Sequence, residues 1–317
     1  MPHRIRYSII TFLASAFSIL FLLQQPKLPH PDHPVVLAIG HKSSSLHRLT
    51  IKALRCATHS ITGRMYACND PYVLQELRRC SARHVHVLLE HDATSTPPNS
   101  FLTPPIHHLI APKQGLMHQK LICIDDAYVW IGSANWTTSS LRLHDNLLIG
   151  LYCPDLITTL QAQHLHSHFM AGTQRFEFWT LPEQNTVCLY RLLEVLRDAK
   201  SSIRVAMFAL THPRLVQALI QAHRKGVSVE VVLDAKMTHH VNAKAYHLLQ
   251  EAGVPVFLST DSTTLHHKLV WVDDLLIEGS ANWTKAAFSH NTECFIILHD
   301  LTPQQIRTLK RFWKTIT

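Results

Sequence analysis

The sequence predicts an α/β protein built from two similar halves. Three observations carry that expectation. A histidine, a lysine, an apolar run, an aspartate and a Gly-Ser-Ala-Asn turn occur twice in the same order: His118, Lys120, Asp125, Gly132, Ser133 and Asn135, then His266, Lys268, Asp273, Gly279, Ser280 and Asn282. The likeness reaches beyond the motifs. Residues 57–61, Met65 and Pro71 match residues 199–203, Met207 and Pro213 at an offset of 142, against 148 at the motif histidines and 147 at the glycines. A repeat of that length makes each half a complete unit rather than one turn of a solenoid. Finally, strand-like and helix-like segments alternate within each half, the pattern of a mixed sheet flanked by helices.

Taken in order, residues 1–34 form a leader. Residues 7–23 carry no charge over 17 positions and follow Arg4 and Arg6. As a helix they would span roughly 26 Å, close to the ~30 Å of a hydrocarbon core. This segment reads as an uncleaved membrane anchor. A cleaved signal peptide is the alternative, because Ala14-Ser15-Ala16 has the small-x-small form, but cleavage there would leave residues 17–23 as an apolar stub. Arginines on the short amino-terminal side favour a membrane-anchored protein with an extracytoplasmic body, with a periplasmic or secreted form as the alternative. Pro26, Pro29, Pro31 and Pro34 then give a semi-rigid spacer.

The first half is expected over residues 35–172 and the second over 173–317, with residues 172–182 as their connection unless the apolar stretch 176–181 packs into the core. In the first half Pro71 opens a helix with Leu74 and Leu77 on its inner face, and residues 85–89 form a short buried strand. In the second half residues 202–209 are rich in β-branched and apolar side chains and read as a strand. Pro213 suits the first turn of a helix, Leu215, Val216, Leu219 and Ile220 recur at helical spacing, and Gly226 stops it before the strand at 227–233. The runs 121–124 and 269–272 are apolar enough for strands buried on both faces.

Alternate side chains of a strand share a face, so His118 points with Lys120 and His266 with Lys268. Asp125 and Asp273 have the opposite parity and are assigned to the turn that follows. Gly132 and Gly279 end the next strand and permit a tight turn, after which Ser133, Asn135, Ser280 and Asn282 can aim polar groups at one point. Two lysines, two serines and two asparagines would surround a phosphate and stabilise charge on its oxygens without a metal. The 25 histidines are scattered and lack H-E-x-x-H or paired Cys/His spacings, so neither a metal nor a cofactor is expected.

This paired motif resembles the double HKD signature of the phospholipase D superfamily, and the likeness covers most of the chain after about the first thirty residues. The resemblance implies two phospholipase D-like α/β sandwich halves packed as a pseudo-dimer, motif facing motif, in a monomer. It also implies phosphodiester cleavage in two steps. One histidine forms a phosphohistidine; the other protonates the leaving alcohol and then activates water or an acceptor alcohol. In two-motif relatives a carboxylate reaches across to the histidine of the other half. Counting from the glycines, Glu293 occupies that place in the second half and aligns with Asn146 in the first, while Asp145 could serve only after a register shift. The expected nucleophile is therefore His118, oriented by Glu293, with His266 as the general acid.

The net charge of +8 suits an anionic partner, whether a phospholipid membrane or nucleic acid. Seven cysteines, an odd number, do not form a small-domain disulfide framework. Cys123 and Cys294 lie in apolar runs and read as buried free thiols, with disulfides left open elsewhere. Trp136 and Trp283 read as core residues, a substrate rim being the alternative. The Pro-rich stretch 94–105 reads as a surface loop near the site or an insertion. An anchor with a short spacer favours phospholipid, hydrolysed or transphosphatidylated, because tethering raises the effective headgroup concentration. A membrane-tethered, metal-independent endonuclease is the alternative. A cardiolipin synthase-like transferase and an inactive membrane-associated binding module are lesser ones.

Overall fold

The computed structural model describes residues 27–41, 44–92, 94, 107–110, 115–162, 168–260 and 263–317. The anchor expected at 7–23 and nearly all of the Pro-rich stretch lie outside the described residues. Among the described residues no helix is long and apolar enough to cross a membrane.

The first half carries β1 (Val35–Gly40), α1 (Ser45–Arg55), β2 (Ser60–Met65), α2 (Pro71–Ala82), β3 (His86–His91), β4 (His107–Ile110), β5 (Lys120–Ile124), β6 (Tyr128–Gly132), α3 (Thr138–Arg142), β7 (Asn146–Tyr152) and α4 (Pro154–Gln161). Next come β8 (His168–Ala171), β9 (Gln174–Leu181), α5 (Asn185–Asp198), β10 (Ser202–Met207), α6 (Pro213–Arg224), β11 (Ser228–Leu233), α7 (Ala235–Thr238) and α8 (Ala243–Glu251). The chain closes with β12 (Val256–Leu258), β13 (Lys268–Val272), β14 (Leu275–Gly279), β15 (Glu293–Leu298) and α9 (Pro303–Ile316). One sheet runs β1-β7-β6-β5-β2-β3-β4 and the other β12-β11-β10-β13-β14-β15-β9-β8. The second order is the first repeated, with β8 added at the edge. Both sheets are mixed: β2 pairs parallel with β3 and β10 with β11, while β5 and β13 pair antiparallel with both neighbours.

Local chemistry sets these boundaries. Asp70 caps α2 by accepting the amides of Tyr72 and Val73, and Pro71 fills the first helical position, where a missing N–H costs nothing. Thr302 and Gln305 close a capping box on α9. Asp125 and Asp273 take left-handed backbone angles, φ 51° and 49°, in the hairpin turns after β5 and β13. Their carboxylates accept the amides of Thr58, His59 and Ser60, and of Lys200, Ser201 and Ser202, respectively. The strand parity of these aspartates thus matches a structural role: they fasten the start of β2 and β10 to the motif strand.

Three apolar layers follow from the alternation along each strand. On β5, Ile122 and Ile124 face α1 and α2 with Leu46, Leu74 and Trp136, whereas Leu121 faces the other sheet. On β13, Val270 and Val272 join Leu192, Leu219 and Trp283 beneath α5 and α6, whereas Leu269 and Trp271 face inward. Between the sheets Leu121, Ile131 and Ile149 meet Leu269, Leu276 and Ile296, and Leu156 of α4 with Phe312 of α9 closes the side. Each such side chain contributes about 1.5–3 kcal/mol on burial, so this shared middle layer binds the two halves into one body. Trp136 and Trp283 are core residues, 3% and 2% exposed.

Two expectations are settled in detail. Of the two readings of 172–182, the one in which residues 176–181 pack into the core holds: β8 and β9 form a hairpin in the second sheet, β9 pairs with β15, and Phe176, Phe178 and Leu181 are buried. Residues 168–171 consequently belong with the second sheet, ahead of the boundary expected at 172/173. Gly132 and Gly279, in turn, are needed for close approach rather than for a turn. A Cβ at Gly132 would lie 2.1 Å from the Leu147 carbonyl oxygen, and one at Gly279 2.3 Å from that of Cys294.

Candidate active site

The motif strands begin at the lysines, so each histidine lies just ahead of its strand, in a segment that crosses to the other half. Met117 forms a parallel bridge with Thr292, and Leu265 forms one with Asp145. The His118 amide donates to the Thr292 carbonyl at 2.8 Å and the His266 amide to the Asp145 carbonyl at 2.9 Å. Each histidine is therefore positioned by backbone from the opposite half. Buried Asp92 and Asp234, at the ends of β3 and β11, brace these segments by accepting the amides of Met117 and Leu265.

Around His118 the polar groups converge. Its Nδ1 lies 2.9 and 3.0 Å from the two carboxylate oxygens of Glu293, which is fully buried. Ser280 donates its hydroxyl to the same carboxylate at 2.5 Å, and Asn291 donates its amide at 3.3 Å. Gln119 donates to the Glu293 carbonyl at 3.1 Å. Burial works against the Glu293 anion, but His118, Lys120 and the Ser280 hydroxyl hold its pKa below the usual carboxylate value. Burial likewise lowers the His118 pKa, and Glu293 opposes that fall.

His266 has a different partner. Its Nδ1 lies 3.0 Å from Asn146 Oδ1, and the Asn146 Nδ2 is committed to the Ser140 carbonyl at 2.9 Å. That fixes the amide so that its oxygen faces the ring and Nδ1 carries the proton, leaving Nε2 toward the centre. Burial, followed by the charges of Lys268 and Lys120, depresses the His266 pKa well below 6.5, with no carboxylate to oppose them.

Lys120 and Lys268 are 1% and 2% exposed, and each donates its ammonium to the carbonyl of its own motif histidine, at 2.5 and 2.9 Å. Burial pulls both down to about 7, with Glu293 opposing. Tyr66 lies beside His118 and Lys120 just as Phe208 lies beside His266 and Lys268, with ring separations of 5.0 Å to each histidine. The result is a cluster of two lysines, two imidazoles and one carboxylate drawn from both halves.

The remaining predicted residues divide. Ser133 and Ser280 are fully buried, and their hydroxyls accept the amides of Leu147 and Cys294, so they pin the neighbouring strand rather than stand as open donors. Asn135 and Asn282 stay partly exposed as residues, while their amide oxygens are buried and have no hydrogen-bond partner among the described residues. Asp145 pairs with His41 at 2.9 Å instead of reaching His266 with its side chain. Among the described residues no cluster of His, Cys, Asp and Glu has metal-binding geometry. All seven cysteines are free, Cys294 fully buried and Cys123 partly so.

Asp92, Asp234, Tyr66 and Phe208 were not singled out from the sequence, although both pairs recur at the same offset of 142 as the flanking repeat. Glu278, a charge interrupting an apolar strand, is fully buried near Ser133 and Lys268. Burial raises its pKa well above the usual carboxylate range, and Lys268 opposes that rise.

A duplicated mixed-sheet fold with two facing H-x-K motifs defines the phospholipase D superfamily. The chain belongs within it to the family described as cardiolipin synthase, PLD-like domain, which matches residues 50–169 and 192–314. Mitochondrial cardiolipin hydrolase of Mus musculus is 38% identical over 113 residues, 35% of this chain and 51% of that protein. Phospholipase D of Rickettsia typhi is 31% identical over 114 residues, 36% of this chain and 55% of that protein. The chain thus spans about half the length of the curated relatives it matches. Phosphatidylserine synthase of Haemophilus influenzae shares the fold, with a TM-score of 0.70 and 14% identity over 90% of this chain and 86% of that one.

Proposed function

We propose that the chain is a phosphodiesterase that cleaves phospholipid headgroup esters, by hydrolysis or transfer to an alcohol, through a phosphohistidine on His118. The observation that carries this reading is the unequal pairing of the two histidines: Glu293 on His118, Asn146 on His266. In the first step His118 Nε2 bonds to phosphorus, the bond to the leaving alcohol breaks, and His266 Nε2–H protonates that oxygen. The ring of a phosphohistidine is cationic, and only His118 has a buried carboxylate against its Nδ1 to offset that charge. A general acid has the opposite need. The depressed pKa of His266 makes its protonated form a ready donor. Lys120, Lys268, Asn135 and Asn282 supply charge and donors to the phosphate oxygens. Water or an alcohol then attacks phosphorus, returns its proton to His266, and releases His118.

A lipid substrate is supported by relatives named cardiolipin hydrolase and phospholipase D and by the uncharged run at 7–23. That run supports a membrane-anchored protein. The test is a paired assay of residues 35–317 on anionic and zwitterionic phospholipid vesicles and on single- and double-stranded DNA, with chelator present. Headgroup release is expected from vesicles. Cleavage of DNA without lipid turnover would instead favour the endonuclease reading, and turnover of neither would leave a binding module.

A further inference from the structure

The first half lacks the carboxylate that the second half has, but it carries a titratable ring where the second has none. His144 occupies the place of Asn291, by the same offset of 147 that relates Asn146 to Glu293. Asn291 donates to Glu293 and so serves the nucleophile side. His144 turns to the other histidine: its ring centroid is 6.0 Å from that of His266, with the planes tilted by 45°.

The surroundings of His144 suit proton traffic. His266 and His144 are both partly buried; His266 lies against Asn146 and Phe208, and the His144 ring makes no hydrogen bond within the described residues. The charged groups that act on His144 are Asp234, Lys236 and Lys268, from the end of β11, from α7 and from β13. Burial and the two lysines lower its pKa, and Asp234 opposes them. Its pKa is thus shifted in the same direction as that of His266. Ring centres about 6 Å apart leave room for one bridging water between ring nitrogens.

We propose that His144 is a relay residue through which His266 exchanges its proton with solvent. This rests on the phosphodiesterase reading above. The need for a relay is greatest with a leaving group that departs without a proton. In the attack on bis(p-nitrophenyl) phosphate, His118 Nε2 bonds to phosphorus and p-nitrophenolate leaves with the electron pair of the broken P–O bond. No proton is drawn from His266, so this cycle runs from the form with His266 neutral and its Nε2 open to receive one. In the second step the water oxygen bonds to phosphorus, the P–N bond breaks with its electrons returning to His118, and the water proton goes to His266 Nε2. One proton per cycle must then leave through His144.

The experiment compares the p-nitrophenol burst with the steady state in the native chain, in His144→Asn, which copies Asn291, and in His144→Gly with added imidazole. The expected result is a burst rate within about twofold of native and a steady-state rate reduced roughly tenfold or more in both variants. Imidazole should restore the glycine variant. Equal loss from burst and steady state, no loss from either, or no rescue by imidazole would overturn the relay. A native chain that releases no p-nitrophenol would overturn the phosphodiesterase reading itself, and the relay with it.

Discussion

His118 Nδ1 lies 2.9 Å from a carboxylate oxygen of Glu293, a residue 175 positions further along the chain and in the other half of the molecule. The matching pair, His266 and Asn146, keeps the geometry at 3.0 Å and loses the charge. A pseudo-symmetric fold thereby holds two histidines with unlike chemistry.

Replacing Glu293 by Gln keeps the shape and removes the charge opposite His118. The expected outcome is a loss of about 10²–10⁴-fold in kcat, with phosphodiester binding still measurable on the two lysines. Single-turnover kinetics check this. An equal loss from Asn146→Ala would show that the charge is not what matters.

The pH dependence follows from the same asymmetry. Turnover of a diester whose leaving alcohol must be protonated needs His118 neutral, His266 protonated and both lysines charged. Burial puts both histidines below 6.5, most strongly His266, and both lysines at about 7. Rising pH therefore removes first the His266 proton and then the lysine charges, two losses of the same sign. The optimum of kcat/KM is expected on the acid side of 6.5, falling steadily toward 8. Asn146→Glu would favour the charged form of His266 and move the alkaline limb upward, toward the lysine limit of about 7. A pH–rate profile of the two proteins decides; an unmoved limb would contradict the role given to Asn146.

The motif aspartates and glycines should act on stability alone. Asp273→Ala removes the acceptor for three backbone amides and is expected to cost about 1–3 kcal/mol. Gly279→Ala places a methyl group 2.3 Å from the Cys294 carbonyl oxygen and should cost about the same through displaced strands. Urea unfolding measures both. For Asp273→Ala the pH–rate profile of the folded enzyme should match the native one, because the carboxylate is engaged with the amides at the start of β10.

Much of this architecture could be read from residue order. The repeat offsets placed β2 against β10 and β5 against β13, and strand parity sent Asp125 and Asp273 away from the histidines. Glu293 was found by counting from the glycines together with the family resemblance. Parity failed where the chain leaves regular structure. Ser133 and Ser280 look like phosphate donors in sequence, but their hydroxyls are consumed by the neighbouring strand, a pairing set by sheet order rather than by spacing. The β8–β9 hairpin was hidden for a related reason. Residues 176–181 are apolar enough for a strand, and only their pairing with β15 shows which sheet they extend. Asp92 and Asp234 lie at strand ends, where a polar residue is ordinary, and their role depends on amides 25 and 31 residues away.

The central claim is the division of labour between His118 and His266. Acid-stable capture is unsuitable for a phosphoramidate, so the direct measurement is rapid quenching into alkali during turnover of a labelled phosphodiester, followed by mapping of the labelled peptide. Label on the peptide containing His118, absent in His118→Ala and accumulating in His266→Ala with a p-nitrophenyl leaving group, is the predicted result. Label on the His266 peptide would contradict the assignment.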